Sequence, residues 1–258
     1  MLFREQCPGR QQPALAISQP THAWISGQLL ANWAETLDKP LVLAAEQHDI
    51  GWLDWETNPS FDAQTGRPHR FRDIGAAVHA PMWVRGTERA RDAWGARVAI
   101  LISRHGGVIY RRFTDRHRVA EADAAAAAHY LATQAAIEAG WARALGLDFA
   151  KLDRDTALVA LADTLSLALC GELNTPLQVD APDRYGALRA LRLTVRPDRP
   201  NEFTLSPWPF RGEALVVEGE ARPLPPQGRF ASEAAMRAWL AAPERVVFQA
   251  QLTPEAPA

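Results

Sequence analysis

Six polar side chains fall where an apolar helix face should be: His22, His48 and Asp49, His79, His105 and Asp163. In the stretch AAEQHDIGW, Leu41, Ala44, Ala45 and His48 recur at i, i+3, i+4 and i+7, which turns the imidazole toward a core. His22 shares the stripe of Ile25, Leu29 and Trp33, and His105 follows Val98, Leu101 and Ile102. A buried polar group without a partner costs roughly 1 to 3 kcal/mol, and an isolated charge far more. Five helices that each carry such a group inward therefore need a common acceptor. A metal centre is one: four imidazoles and two carboxylates are borderline N and O donors for iron, manganese, zinc or nickel. Six ligands are too many for one catalytic ion, and two ions sharing a carboxylate fit the count. The competing reading makes each His a hydrogen-bonded core residue and buries Asp163 against an arginine such as Arg104.

The elements that must position these groups are mostly helices. THAWISGQLLANWAETL predicts a first helix with Thr21 as a candidate N-cap, and Asp38, Lys39 and Pro40 open a second that Gly51 can end. Residues 52–73 are rich in turn residues and aromatics and predict a long loop. Further helices are expected over 74–91, 93–106, 118–145 and 153–171. The last is apolar from Ala157 to Cys170 except for Asp163, Thr164 and Ser166. Beyond Thr175 the segments LRLTV, EFTLS, ALVVEG and RVVFQAQL predict short strands, with one helix near 232–241. At the start, MLFRE and ALAIS flank a PGRQQP turn as a hairpin. The expected fold is mainly α: a hairpin over 1–18, a helical bundle over 19–174, and a small antiparallel β appendage over 175–258 that the hairpin could join.

Composition narrows the partners. The 258 residues are 47% hydrophobic with a net charge of −2, enough for a sizeable core and without the broad basic field that nucleic acid or an anionic membrane would need. Two cysteines, Cys7 and Cys170, suit a reducing compartment, with Cys170 as a small core residue. No apolar signal core or stretch of membrane-spanning length occurs, so a cytoplasmic protein with a small-molecule substrate is expected, and homodimerisation stays open.

The order His22, His48-Asp49 followed by Ile50-Gly51, His79, His105 and Asp163 resembles the HD-domain superfamily of helical metalloproteins, including its H-D-I-G string, over residues 20–170. The longer pattern HDIGWLDWE, GRPHRF and SRHGG is similar to a bacterial family, domain of unknown function 3891. The superfamily resemblance implies an HD-like bundle holding two divalent ions: iron or manganese first, with zinc, nickel or magnesium as the other candidates. Asp49 would bridge them, with His22, His48 and Asp163 on one and His79 and His105 on the other. A mononuclear site, with His79 and His105 binding substrate, is the alternative.

Most members of that superfamily are phosphohydrolases, so the resemblance implies hydrolysis of a phosphate ester or nucleotide-like molecule. Two ions flanking one oxygen would lower its pKa and clamp the phosphoryl group, with Asp49, His79 and His105 as the catalytic set. A minority branch uses the same six ligands for two irons that cleave C–C or C–P bonds with oxygen, and a non-catalytic metal- or nucleotide-binding regulator is the third class. Arg104, Arg111 and Arg112 could grip phosphate or simply face solvent or the helix end. Where relatives commonly carry Lys after H-D-I-G, this chain has Trp52, with Trp55 one turn on: an aromatic wall for a ring-bearing substrate, or loop packing. His69 in GRPHRF is a further candidate substrate contact. Asp54 and Glu56 could orient a ligand or keep the loop soluble, and His117 and His129 read as surface positions.

Overall fold

The computed structural model describes residues 1–5, 13–113, 120–196 and 198–256 of the chain; Cys7 and His117 lie outside the described residues. The N-terminal strands β1 (Leu2–Arg4) and β2 (Leu15–Ile17) pair as the expected hairpin, Leu2 opposite Ile17. Helix α1 (Gln19–Ala31) starts earlier than Thr21: Ser18 is the N-cap, its Oγ accepting the Thr21 N–H at 3.2 Å, because Pro20 in the first turn already holds a helical φ. Asp38 caps α2 (Lys39–Gln47) as predicted, accepting the Leu41 N–H at 3.1 Å.

The stretch expected to be one long loop is subdivided. A 3-10 turn (Ile50–Trp52) leads into the short helix α3 (Leu53–Thr57), followed by a hairpin of β3 (Phe61–Asp62) and β4 (Arg67–Pro68) and a second 3-10 turn at Phe71–Asp73. Four longer helices complete the helical layer: α4 (Ala76–Trp94), α5 (Ala96–Phe113), α6 (Glu121–Ala144) and α7 (Phe149–Leu169).

The C-terminal region overturns the expectation of a mainly α bundle with a small antiparallel appendage. Strands β5 (Leu177–Pro182), β6 (Leu188–Arg196), β7 (Arg199–Ser206), β8 (Leu215–Pro223) and β9 (Val246–Pro254), with helix α8 (Glu233–Ala241) before the last, join β1 and β2 in one seven-stranded sheet. Its order is β1-β2-β8-β9-β7-β6-β5. It is mixed, not antiparallel: β7 and β9 run parallel, Glu202 beside Gln251 through Leu205 beside Pro254. The chain reaches that pairing by passing through β8 and α8, a long-range connection that strand propensity cannot reveal. β5, not among the expected strands, carries Asp180 and ends in Pro182, both tolerable on an edge strand.

Alternation along the strands shows which face is covered. In β8, Leu215, Val217 and Ala221 are buried while Val216, Glu218 and Glu220 face solvent; in β9, Phe248, Ala250 and Leu252 are buried. These residues join one continuous core with Ile25 and Leu29 of α1, Ile100 to Ile102 of α5 and Leu158, Leu165 and Leu169 of α7. The helices that carry the six polar residues are thus held in register partly by the sheet. Among the described residues no helix is long and apolar enough to cross a membrane.

Candidate metal centre

His48 is the C-cap of α2, and Asp49 follows at the entrance to the 3-10 turn. That turn seats directly on α4. A Cβ at Gly51 would lie 2.3 Å from the Met82 carbonyl oxygen, and one at Gly86 would lie 2.9 Å from the Gly51 Cα, so only glycine at both positions lets the two backbones meet. This close approach, made by the Gly of H-D-I-G, fixes where His48 and Asp49 enter the interior.

Four helices and that turn bring five of the six predicted ligands together. His22 Nε2 lies 2.7 Å from Asp49 Oδ2, and His48 Nε2 lies 3.7 Å from Asp49 Oδ2 and 3.4 Å from Asp163 Oδ1. His105 Nε2 is 3.7 Å from Asp163 Oδ2. The His48 ring centroid is 5.0 Å from that of His22 and 4.8 Å from that of His105. Two overlapping donor sets result, His22-His48-Asp49 and His48-His105-Asp163, each with its ligand atoms within 4.8 Å of one another. They share His48, so the five residues form one cluster. All are buried except Asp163, whose side chain is 15% exposed and gives the cluster its contact with solvent.

Proton accounting shows what the cluster demands. His48 Nδ1 sits 2.8 Å from the Ala45 carbonyl oxygen, which can only accept, so Nδ1 carries the hydrogen. In the neutral ring Nε2 then presents a lone pair to two carboxylates, and it has no hydrogen-bond partner. Such an arrangement calls for a cation between them. A proton on Nε2 meets that demand when no metal is bound: burial resists a charge on His48, yet Asp49 and Asp163 outweigh it and raise the pKa to about 9, and a divalent ion would take that proton's place. His105 lies the other way: burial, reinforced by His48, lowers it to about 4, leaving a neutral ring with neither nitrogen hydrogen-bonded. Burial works against the Asp163 charge, but His48, His105 and His22 overcome it and hold the carboxyl below the usual range. Two carboxylates and three imidazoles, with orphaned nitrogens facing inward, fit the N/O donor set of a divalent transition metal.

The sixth predicted ligand stands apart. His79 is half-buried, its Nδ1 hydrogen-bonded to the Tyr110 hydroxyl at 2.7 Å, and its ring stacks on both Trp52 and Tyr110 at centroid distances of 5.9 and 5.4 Å. It belongs to neither donor set among the described residues. Burial lowers its pKa to about 4, against the opposing pull of Asp123 and Asp49.

The predicted substrate contacts divide similarly. Trp52 is buried and meets Trp55 and Phe71 edge-on as well as His79, so it packs the loop against α4. His69 binds Ser60 Oγ at 3.0 Å in the β3–β4 hairpin. Arg104 is committed to α7, pairing with Asp153 and donating to Thr156 Oγ1 at 3.0 Å; it faces neither Asp163 nor the imidazoles. Arg111 and Arg112 are exposed at the end of α5. Asp54 pairs with Arg89, and buried Glu56 takes the Met1 amino nitrogen at 2.7 Å and the Gln19 N–H at 3.3 Å, so neither orients a ligand. His129 is exposed, and Cys170 is buried with its thiol pushed up to about 12 by burial.

Sequence reasoning missed the residues that hold the ligands. Ser166 Oγ lies 2.8 Å from His22 Nδ1 and 3.0 Å from Ser26 Oγ, and Tyr110 holds His79. The signal for Ser166 was its place three residues after Asp163 in a run that is apolar from Ala157 to Cys170 apart from those two and Thr164. Tyr110 gave none.

Residues 1–226 match the model of a protein family described as a protein of unknown function, DUF3891, and the chain belongs to that family. No curated protein and no solved structure matches the chain.

Proposed function

We propose that this protein is an HD-type, divalent-metal-dependent hydrolase of a phosphate ester or nucleotide-like small molecule. Its ion would be held by His22, His48, Asp49, His105 and Asp163. The observation that carries the reading is His48 Nε2: a buried, unpartnered nitrogen whose tautomer is set by the Ala45 carbonyl and which is aimed at two carboxylates. The proposal differs from the two-ion arrangement in taking one ion, because His79 is engaged by Tyr110 and lies outside both donor sets.

Bound there, a divalent ion would supply Lewis acidity, polarising a substrate oxygen and making water a usable nucleophile near neutral pH. The chain's own groups do the rest. Asp49 and Asp163 provide the negative charge that retains the ion, and the imidazoles keep neutral donors in a dry interior. The partly exposed edge of Asp163 is where substrate would approach. Trp83, its ring centre 5.7 Å from that of His105, would flank the ion, while the rings of Trp52, His79 and Tyr110 stack on one another. With Arg104 bound to α7, the metal and not an arginine clamp would take the phosphoryl oxygens.

The test uses protein stripped with chelator and reloaded with Mn(II) or Fe(II), assayed for phosphate release from a panel of phosphomonoesters and nucleotides. Metal-dependent release that Asp49→Ala abolishes supports the reading. A loaded protein that releases no phosphate from any of them refutes it, and oxygen uptake with Fe(II) alone would point to the oxygenase class.

A further inference from the structure

His22 differs from His48 in how its outer nitrogen is held, and the difference has a chemical consequence. The Ala45 carbonyl that binds His48 Nδ1 can only accept, so that ring has one tautomer. His22 Nδ1 instead meets a hydroxyl, Ser166 Oγ at 2.8 Å, which can donate or accept. Ser166 Oγ has a second acceptor within reach, the Asp163 backbone carbonyl at 2.8 Å, and a second donor, Ser26 Oγ at 3.0 Å. Ser26 and Ser166 are fully buried and His22 is 1% exposed, so the protein must supply all of these partners.

Two arrangements of a singly protonated ring satisfy every group. Without metal, a His22 ring carrying one proton would hold it on Nε2 and donate it to Asp49 Oδ2 at 2.7 Å, while Ser166 would donate its hydroxyl proton to His22 Nδ1. With metal on Nε2, the ring proton must sit on Nδ1. Ser166 then accepts from Nδ1 and turns its own proton to the Asp163 carbonyl, and Ser26 donates to Ser166 in both states. The ring carries one proton before and after, so the net change is a tautomer exchange at constant charge, with the Ser166 hydroxyl reversing its direction.

We propose that Ser166, supported by Ser26, is a positioning residue whose hydroxyl reverses its hydrogen bond to let His22 pass from a proton shared with Asp49 to a metal ligand. This rests on the metal-centre reading above. Ser166 also ties the two ligands together, because the carbonyl that receives its proton in the metal-bound state belongs to Asp163 itself. Outer partners of ligating imidazoles fix ring orientation and basicity, and their loss typically weakens metal binding by about 10- to 100-fold.

Two measurements test it. Nitrogen-15 NMR of the histidine rings reads the tautomer directly: His22 carries its proton on Nε2 in the metal-free protein and on Nδ1 after loading with diamagnetic Zn(II). A ring with its proton on Nδ1 in both states, on Nε2 in both, or with both nitrogens protonated in the metal-free protein, overturns the exchange. Competition with a chromophoric chelator then gives Zn(II) affinity: Ser166→Ala is expected about 10- to 100-fold weaker and Ser166→Thr close to wild type. Ser166→Ala binding Zn(II) as tightly as wild type overturns the positioning role while leaving the metal centre standing. Wild type that binds no Zn(II) removes both.

Discussion

Two inward-facing aspartates on α7, eight residues apart, are satisfied in opposite ways. Asp155 is fully buried and faces cations supplied by the protein: Lys151 Nζ at 2.9 Å and Arg97 Nη2 at 3.4 Å. Glu172, just past the end of the same helix, is likewise clamped by Arg70 and Arg72. Asp163 meets only imidazoles among the described residues, and so does Asp49. A buried carboxylate elsewhere in this fold is given an ammonium or a guanidinium. Where Asp49 and Asp163 converge, none is given, and the nitrogens that face them include unpartnered ones. The contrast separates an ion pair that closes a structure from a charge deficit that receives a ligand.

Exchanging the two aspartates separates the roles most sharply. Asp163→Ala removes a ligand from a site whose binding free energy for a divalent transition metal is of order 10 kcal/mol, and should weaken metal affinity on the order of a thousandfold. Competition with a chelator of known affinity reads it. Asp155→Ala should instead leave metal affinity intact and destabilise the fold by roughly 1 to 3 kcal/mol, because it removes charge-assisted hydrogen bonds and leaves a buried gap, while Lys151 and Arg97 keep Asp38 as a partner. Denaturant unfolding measures this loss. If the two variants show the same pattern, the distinction between a structural and a receiving acid fails.

Metal itself should act on the first region alone. A hundredfold excess over its dissociation constant stabilises the folded chain by about 2.7 kcal/mol, or about 5 to 10 °C in Tm for a chain of this size. Asp155→Ala should keep that increment and Asp163→Ala should lose it. Asp38 sharpens the ion-pair side through pH. Partial burial opposes its charge, but hydrogen bonds from Arg97 and the Leu41 N–H, with the charges of Arg97 and Lys151, hold its pKa below the ordinary value. A carboxyl depressed on folding adds stability that is fully present above its unfolded pKa, near 4, and lost as the pH falls below it. Because Asp38 is about one-third exposed, that contribution is under about 1 kcal/mol. Urea unfolding between pH 3 and 5 should show a shallower acid limb for Asp38→Asn. The smallest expected effect is the most discriminating for ligand count: His79→Ala should leave metal affinity unchanged, whereas a ligating His79 would make it fall.

The candidate site was more legible in the sequence than the fold. Helical period alone placed His22, His48 and His105 on inward faces, since a residue's face follows from spacing along one helix. His79 shows the limit of that signal. Its α4 position turns it inward, but whether it meets an ion or the Tyr110 hydroxyl depends on the register of α5 against α4, which no local pattern encodes. Arg104 failed likewise: adjacent to His105, it points to Asp153 on another helix. The sheet was hidden for a related reason. Strand propensity located β6 to β9 singly, and the hairpin that could join the sheet does so beside β8, but the parallel pairing of β7 with β9 joins segments far apart in the chain.

The central claim is that the interior cluster of three imidazoles and two carboxylates holds a divalent ion. Elemental analysis of protein purified without chelator, beside its Asp49→Ala counterpart, tests it most directly. The account predicts about one equivalent of a divalent transition metal per wild-type chain and close to none in the variant. Wild-type protein that is free of metal and takes up neither Mn(II) nor Fe(II), or a variant with unchanged content, would contradict it.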